Sequence, residues 1–388
     1  WNAIGLTAAM GAIGALWLGA RRGGHALLNA LSYPAMGLFL VTLMLAYSRG
    51  ALAALAIGVL LWFCIVPLRL RGAAVGLLGA LGAGGVVAWD FSQAALSQEN
   101  VALNARTLAG HQLGAALVAM LVALTLAGVA IGFRTARRAP ANRTRRRAGA
   151  TLVGLLVLMV LAGGAALAHS HRGLFGSISH DVSSLTNPNA PVPSNTPARL
   201  TAAGSVRARY WKEALEVFQA HPALGAGAEG YATARLRYRT ETLVVRHAHG
   251  FIVQTLADLG LVGLVLSLAL FGAWLVAAGR ATHPFGRRWR RWNWERYTLP
   301  YDPERIGMLS MLAIVVVFGV HSFVDWTWYV PGDACVALLC AGWLAGRGAL
   351  EDPYTDPADE RTIVRWETTP ARRSMRLPSL QEIEPVRA

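Results

Sequence analysis

The sequence predicts an all-α, polytopic transmembrane helical bundle with a long extracytoplasmic loop containing short helices. Three observations predict it. Hydrophobic residues make up 54% of the 388 and charged residues only 15%, with a mean hydropathy of +0.41, a balance outside that of soluble domains. Apolar runs long enough to cross hydrocarbon recur along the whole chain. Between them the arginines fall in clusters, as in a chain oriented by positive charge in a bilayer. The formal charge of +15 is thereby explained without a polyanion. The lipid bilayer is the expected partner, and nucleic acid is not.

Nine spans can be drawn, at roughly 3–20, 29–47, 50–67, 72–89, 112–132, 150–168, 253–278, 307–324 and 328–346. Each approaches the roughly 17–25 residues a spanning helix needs. The first four are rich in Gly and Ala, which suit close packing in lipid and equally suit kinks. The chain opens on Trp1 and is in an apolar run by residue 3, so further helices are expected ahead of it. Cys64, Cys335 and Cys340 all fall in apolar segments, so neither a disulfide framework nor a metal cluster is expected.

Direction follows from the arginines. Residues 134–147 carry seven and 280–296 carry six. With both clusters cytoplasmic, alternation puts Arg21, Arg22, Arg69 and Arg71 inside as well. The expected organisation is about six helices in 1–168, an extracytoplasmic loop over 169–252, about three helices in 253–346, and a cytoplasmic, poorly ordered tail over 347–388. The Ser48-Arg49-Gly50 turn is then outside.

The outer loop is irregular over 176–204 and regains order at Ser205, a fair helix cap. Arg207, Trp211, Ala214 or Leu215, and Phe218 then recur at helical spacing, giving one apolar face with Arg207 at its N-terminal end. His221-Pro222 stops that helix. Gly225 and Gly227 follow, either as a tight turn or as backbone amides facing a ligand. His247 and His249, with Arg246, stand at the mouth of the next span. His249 at a helix N-terminus fits a general base, a donor to phosphate, or a plain loop residue. Arg49 either snorkels to headgroups or meets an anion. Asp258, inside the span, is a packing hydrogen bond or part of a site, and Asp325 is reachable from the same face. No metal-ligand spacing is present.

Four ordered elements resemble the O-antigen ligase and polymerase superfamily of bacterial envelope polysaccharide assembly. They are Ser48-Arg49-Gly50; Arg207 through Leu215 with Phe218 and His221 through Gly227; His247-Ala248-His249-Gly250 with Leu256 through Gly263; and His321 through Trp326. The resemblance implies a glycosyltransferase without metal or cofactor. Its donor would be a polyprenyl-pyrophosphate-linked glycan and its acceptor a glycan or lipid-glycan, met at the outer face of the cytoplasmic membrane. It implies that Arg49 and Arg207, with Arg246 beside them, meet the pyrophosphate and that His249 acts at the acceptor. Asp258, His247, His321, Asp325, Trp211, Gly225 and Gly227 are expected to support them. Two positions depart from many relatives: Gly250 stands where they carry Asn or Ser, and Asp258 where they carry Glu. A polymerase of the same superfamily and a nonenzymatic transporter of lipid-linked glycan are the alternatives.

Overall fold

A computed structural model describes residues 1–21, 23–137, 194–202, 204–284 and 303–348, with scattered positions between 143 and 189. Most of the predicted span 150–168 and of the arginine clusters lies outside the described residues. So do most of the irregular stretch before residue 194 and the tail from residue 349 onward.

Among the described residues the protein is all-helical, with no strand. The helices are α1 (Asn2–Ala20), α2 (Ala26–Ala30), α3 (Ser32–Leu45), α4 (Arg49–Ile65), α5 (Arg69–Ser92), α6 (Ala94–Ser97), α7 (Leu103–Arg137), α8 (Arg207–Ala220), α9 (Tyr231–Ala234), α10 (Phe251–Thr282), α11 (Pro303–Ser322) and α12 (Pro331–Gly348). Six stretches are long and apolar enough to cross a membrane: α1, α2 with α3, α5, most of α7, α10 and α11. Helix α4 is apolar but shorter, at 17 residues. Helix α7 starts nine residues before its predicted span, because Asn104, Arg106 and His111 lower the hydropathy of a turn that is still helical.

Helix α1 is the centre of the bundle, packing against α3, α4, α5 and α11. It is apolar on every side, so residues all round its circumference are buried, from Leu6 and Ala9 to Ile13 and Leu16. Small residues set the spacing. A Cβ on Gly58 of α4 would come within 2.2 Å of Val317 on α11, so the two helices meet almost backbone to side chain.

The two ends of the bundle differ. At one end, Arg71 Nη1 donates to the Arg21 carbonyl at 3.0 Å and Arg305 Nε to the Thr282 carbonyl at 3.0 Å, while Arg347 pairs with Glu304. At the other end lie Asn2, Ser48, Gly250 and Asp325, covered by α8 and α9 from the long loop.

Helix α8 differs from its expected orientation. Its buried face runs through Ala208, Tyr210, Glu213, Ala214 and Val217; it shares Ala214 with the expected face, and Arg207, Trp211 and Phe218 lie half-buried at its edge. An acid sits on that face because a fully buried arginine meets it. Arg235 Nε donates to Glu213 at 2.7 Å and Arg235 Nη2 to Glu241 at 2.8 Å. Ser205 stands just ahead of the helix, its hydroxyl accepting from the Arg207 amide at 3.2 Å. The helix ends at Ala220, ahead of Pro222.

Candidate active site

Asp325, in the turn between α11 and α12, has a fully buried side chain with both oxygens engaged. Oδ2 accepts from Arg207 Nη2 at 2.6 Å and from Asn2 Nδ2 at 2.5 Å. Oδ1 accepts from the Trp326 amide at 2.8 Å and lies 3.2 Å from His249 Nδ1. Burial pushes the Asp325 carboxyl up, but the His249 hydrogen bond and the Arg207 charge outweigh it and hold the group well below the usual carboxylate range. An ionised carboxylate only accepts hydrogen bonds, so the hydrogen between the pair belongs to His249 Nδ1. In the neutral ring, Nε2 is then the basic nitrogen. Arg207 and His249 keep 18% and 25% of their side chains exposed, against none for Asp325.

His249 holds an uncommon backbone conformation for a residue with a Cβ, φ +55°. Its neighbours enforce it. Trp211 Nε1 donates to the His249 carbonyl at 3.1 Å, and the Tyr210 ring stacks on the imidazole at 5.4 Å. A Cβ on Gly250 would sit 3.1 Å from both Trp211 Nε1 and the Phe323 carbonyl. That crowding is a physical reason for glycine at this position.

Arg49 opens α4, where the Ser48 hydroxyl accepts from the Ala51 amide at 3.3 Å. Its Nη2 donates to the Gly204 carbonyl at 2.8 Å, and the side chain is within electrostatic range of Arg207 and Arg199. It therefore faces the loop that carries Arg207. His321 is fully buried, with Nδ1 3.0 Å from the Thr327 hydroxyl and Nε2 without a hydrogen-bond partner. A Cβ on Gly50 would come within 3.4 Å of that ring, so His321 packs between the Arg49 turn and the Asp325 turn. His247 stacks on Tyr329 and Trp326. Burial first, then the charges of His249 and Arg246, hold its pKa below the usual histidine value against the opposing pull of Glu229 and Asp258. Arg246 is exposed and, among the described residues, makes no ion pair.

Other expected residues serve the scaffold. Asp258 Oδ1 accepts from the Tyr231 amide and Oδ2 from Gln254 Nε2, both at 2.8 Å, while Gln254 Oε1 accepts from the Ala248 amide at 2.6 Å. The Gly225 amide donates to the His221 carbonyl and the Gly227 amide to the Asp258 carbonyl, each at 2.9 Å. Those amides are spent on the fold instead of facing open space. The cause is a break in α10 at Gly260, φ +63°, where the freed amides of Leu261 and Val262 donate to the carbonyls of Pro222 and Ala223. Residues 222–227 thus splint a broken span.

Sequence reasoning did not single out Asn2, Tyr210, Gln254 or the Arg235–Glu213–Glu241 network. One signal was available for the network: Glu213 shares a helical face with Tyr210, Ala214 and Val217, and a buried acid requires a cation. Among the described residues no group of three or more His, Cys, Asp and Glu side chains is arranged to hold a metal ion.

Residues 112–268 match the family model described as O-Antigen ligase. That match supports the O-antigen ligase superfamily for this chain. It likewise supports a membrane glycan-processing function of the O-antigen ligase or polymerase type and, with the apolar helices, a multi-pass membrane protein. The matched O-antigen ligase segment includes Arg207, Trp211, Gly225, Gly227, Arg246, His247, His249 and Asp258. Arg49, His321 and Asp325 lie outside it and join the others through the fold. No curated protein matches the chain.

Proposed function

We propose that this protein is a membrane glycosyltransferase moving a glycan from a polyprenyl-pyrophosphate donor to an acceptor hydroxyl at the outer face of the cytoplasmic membrane. One observation carries the reading: Arg207 and His249 bind opposite oxygens of the buried Asp325 carboxylate. A cation suited to a diphosphate and a base suited to a hydroxyl are thereby held a single carboxylate apart.

The reaction is one displacement. The acceptor oxygen attacks C1 of the donor sugar as its proton passes to His249 Nε2. The C1–O bond breaks, and its electron pair leaves with the pyrophosphate. Negative charge grows on that leaving group, and the planar donors of Arg207 and Arg49 meet it, with the exposed Arg246 placed to add charge at the rim. Attack from the side opposite the leaving group inverts C1. Breaking the pyrophosphate linkage supplies the driving force, so no nucleotide is needed. Asp325 keeps Nδ1 protonated and stabilises the imidazolium. The donor's lipid tail lies in a groove between helices, and the 205–230 segment covers the sugar. A lipid-glycan acceptor makes the enzyme a ligase, and a growing chain makes it a polymerase.

The test uses the full chain reconstituted in lipid with a polyprenyl-pyrophosphate-linked oligosaccharide, following released polyprenyl pyrophosphate and donor affinity together. His249→Ala should lower turnover by roughly 10²–10⁴-fold while leaving donor affinity largely intact, because a base acts in the transition state. If the variant instead lost donor affinity and kept turnover at saturating donor, His249 would be a phosphate ligand and the base would lie elsewhere.

A further inference from the structure

The mechanism leaves one set of side chains beside the imidazole unused. The rings of Trp326 and His249 are 6.2 Å apart and nearly perpendicular, at 76°. His247 lies nearly parallel to Trp326 at 5.3 Å and to Tyr329 at 4.1 Å. Trp326 and Tyr329 are each more than a third exposed, at 38% and 39%.

Tryptophan and tyrosine at a membrane surface are commonly anchors, which only have to sit at headgroup depth. These rings are fixed more tightly than that role asks. The Trp326 amide is tied to Asp325 Oδ1, the same oxygen that faces His249. Thr327 is tied to His321, and the Tyr329 and Val330 amides donate to the Trp326 and Thr327 carbonyls at 2.9 and 3.0 Å. One carboxylate therefore fixes the backbone that carries the indole and faces the base.

A sugar whose hydroxyl gives its proton to His249 is within reach of that indole, whose ring centre is 6.2 Å from the imidazole. A pyranose has one face of C–H groups carrying partial positive charge, and an indole face is partially negative. We propose that Trp326, backed by His247 and Tyr329, is the platform on which the terminal pyranose of the acceptor stacks. This rests on His249 being the base. A stacked ring is fixed in orientation, so the platform selects which of its hydroxyls reaches Nε2.

The probes are methyl β-D-glucopyranoside, galactopyranoside and mannopyranoside, offered to the full chain in lipid nanodiscs with the lipid-linked donor. Trp326→Leu keeps apolar bulk and removes the ring, and Trp326→Phe keeps a ring. The Leu variant should raise the acceptor KM roughly three- to tenfold, with donor KM unmoved, while the Phe variant stays near wild type. Saturation-transfer NMR on the wild type should mark the protons of one pyranose face above the other. An unchanged acceptor KM in the Leu variant, even marking of both faces, or no binding of any of the three glycosides would overturn the platform. His249→Gln separates the two ideas. Full transfer by that variant sinks the base while leaving the KM and NMR results to decide the platform. A His249→Gln chain that binds glycoside one face inward but transfers nothing upholds both.

Discussion

Asp258 and Asp325 are buried carboxylates near the same end of one bundle, and the donors around them make them different groups. Asp258 is met by a backbone amide and a glutamine amide. The first ties α9 to the broken span and the second closes a bond within α10, while the Asp258 backbone carbonyl takes the Gly227 amide of the splint. Asp325 is met by a guanidinium, an imidazole, an asparagine amide and one backbone amide. Two of its partners carry or gain charge and keep part of their surface open. A carboxylate closed by neutral donors holds structure, whereas one shared between a cation and a titratable ring can also order chemistry.

The sharpest way to break that comparison is to exchange each carboxylate for its amide. Asp325→Asn should lower turnover by on the order of 10²–10⁴-fold, because the amide puts N–H donors in place of one of the two oxygens, so that either His249 or Arg207 loses its acceptor. The thermal unfolding midpoint should move far less than the activity does. An Asp325→Asn protein with near wild-type turnover would remove Asp325 from the site.

Asp258→Asn should show the reverse pattern. One of its two donors loses an acceptor inside the fold, at a cost of about 1–3 kcal/mol, so thermal stability falls while turnover at low temperature changes little. Gly225→Ala should behave alike. Its φ of +69° and the Asp258 carbonyl carbon 2.3 Å from the added Cβ make strain of about 1–3 kcal/mol expected. Loss of turnover without loss of stability in either variant would move the splint into the site.

The smallest effect is a pH dependence. Burial lowers the His247 pKa from its ordinary value of 6.5, so the unfolded chain takes up the proton first. The stability contributed by the neutral ring is complete above that ordinary value and is lost as pH falls below it toward the lowered folded value. Wild type should therefore lose more of its thermal midpoint between about pH 7.5 and 5.5 than His247→Phe does. Equal losses would mean that His247 charges freely where it stands.

Six of the nine drawn spans were legible because hydropathy is local: each of these helices is apolar over its own length, whatever packs beside it. Arg49, Arg207 and His249 were legible as members of ordered motifs. The weight on Asp325 was not, because its partners Asn2, Arg207 and His249 lie 323, 118 and 76 positions away. Gly225 and Gly227 read either as a tight turn or as amides facing a ligand, and only the break at Gly260 shows what their amides serve. The centre of the buried face of α8 was not legible for a similar reason. Glu213 counts as polar in any pattern until Arg235 is brought to it.

By itself the sequence determined that this chain is a helical membrane protein and which residue types stand at the ends of its spans. Both follow from the free energy of single segments in lipid and water, which depends on composition within about twenty residues. Only the tertiary structure decided which acid orders the site and which holds the scaffold. That choice depends on who donates to each oxygen, and for Asp325 those donors come from four separate parts of the chain.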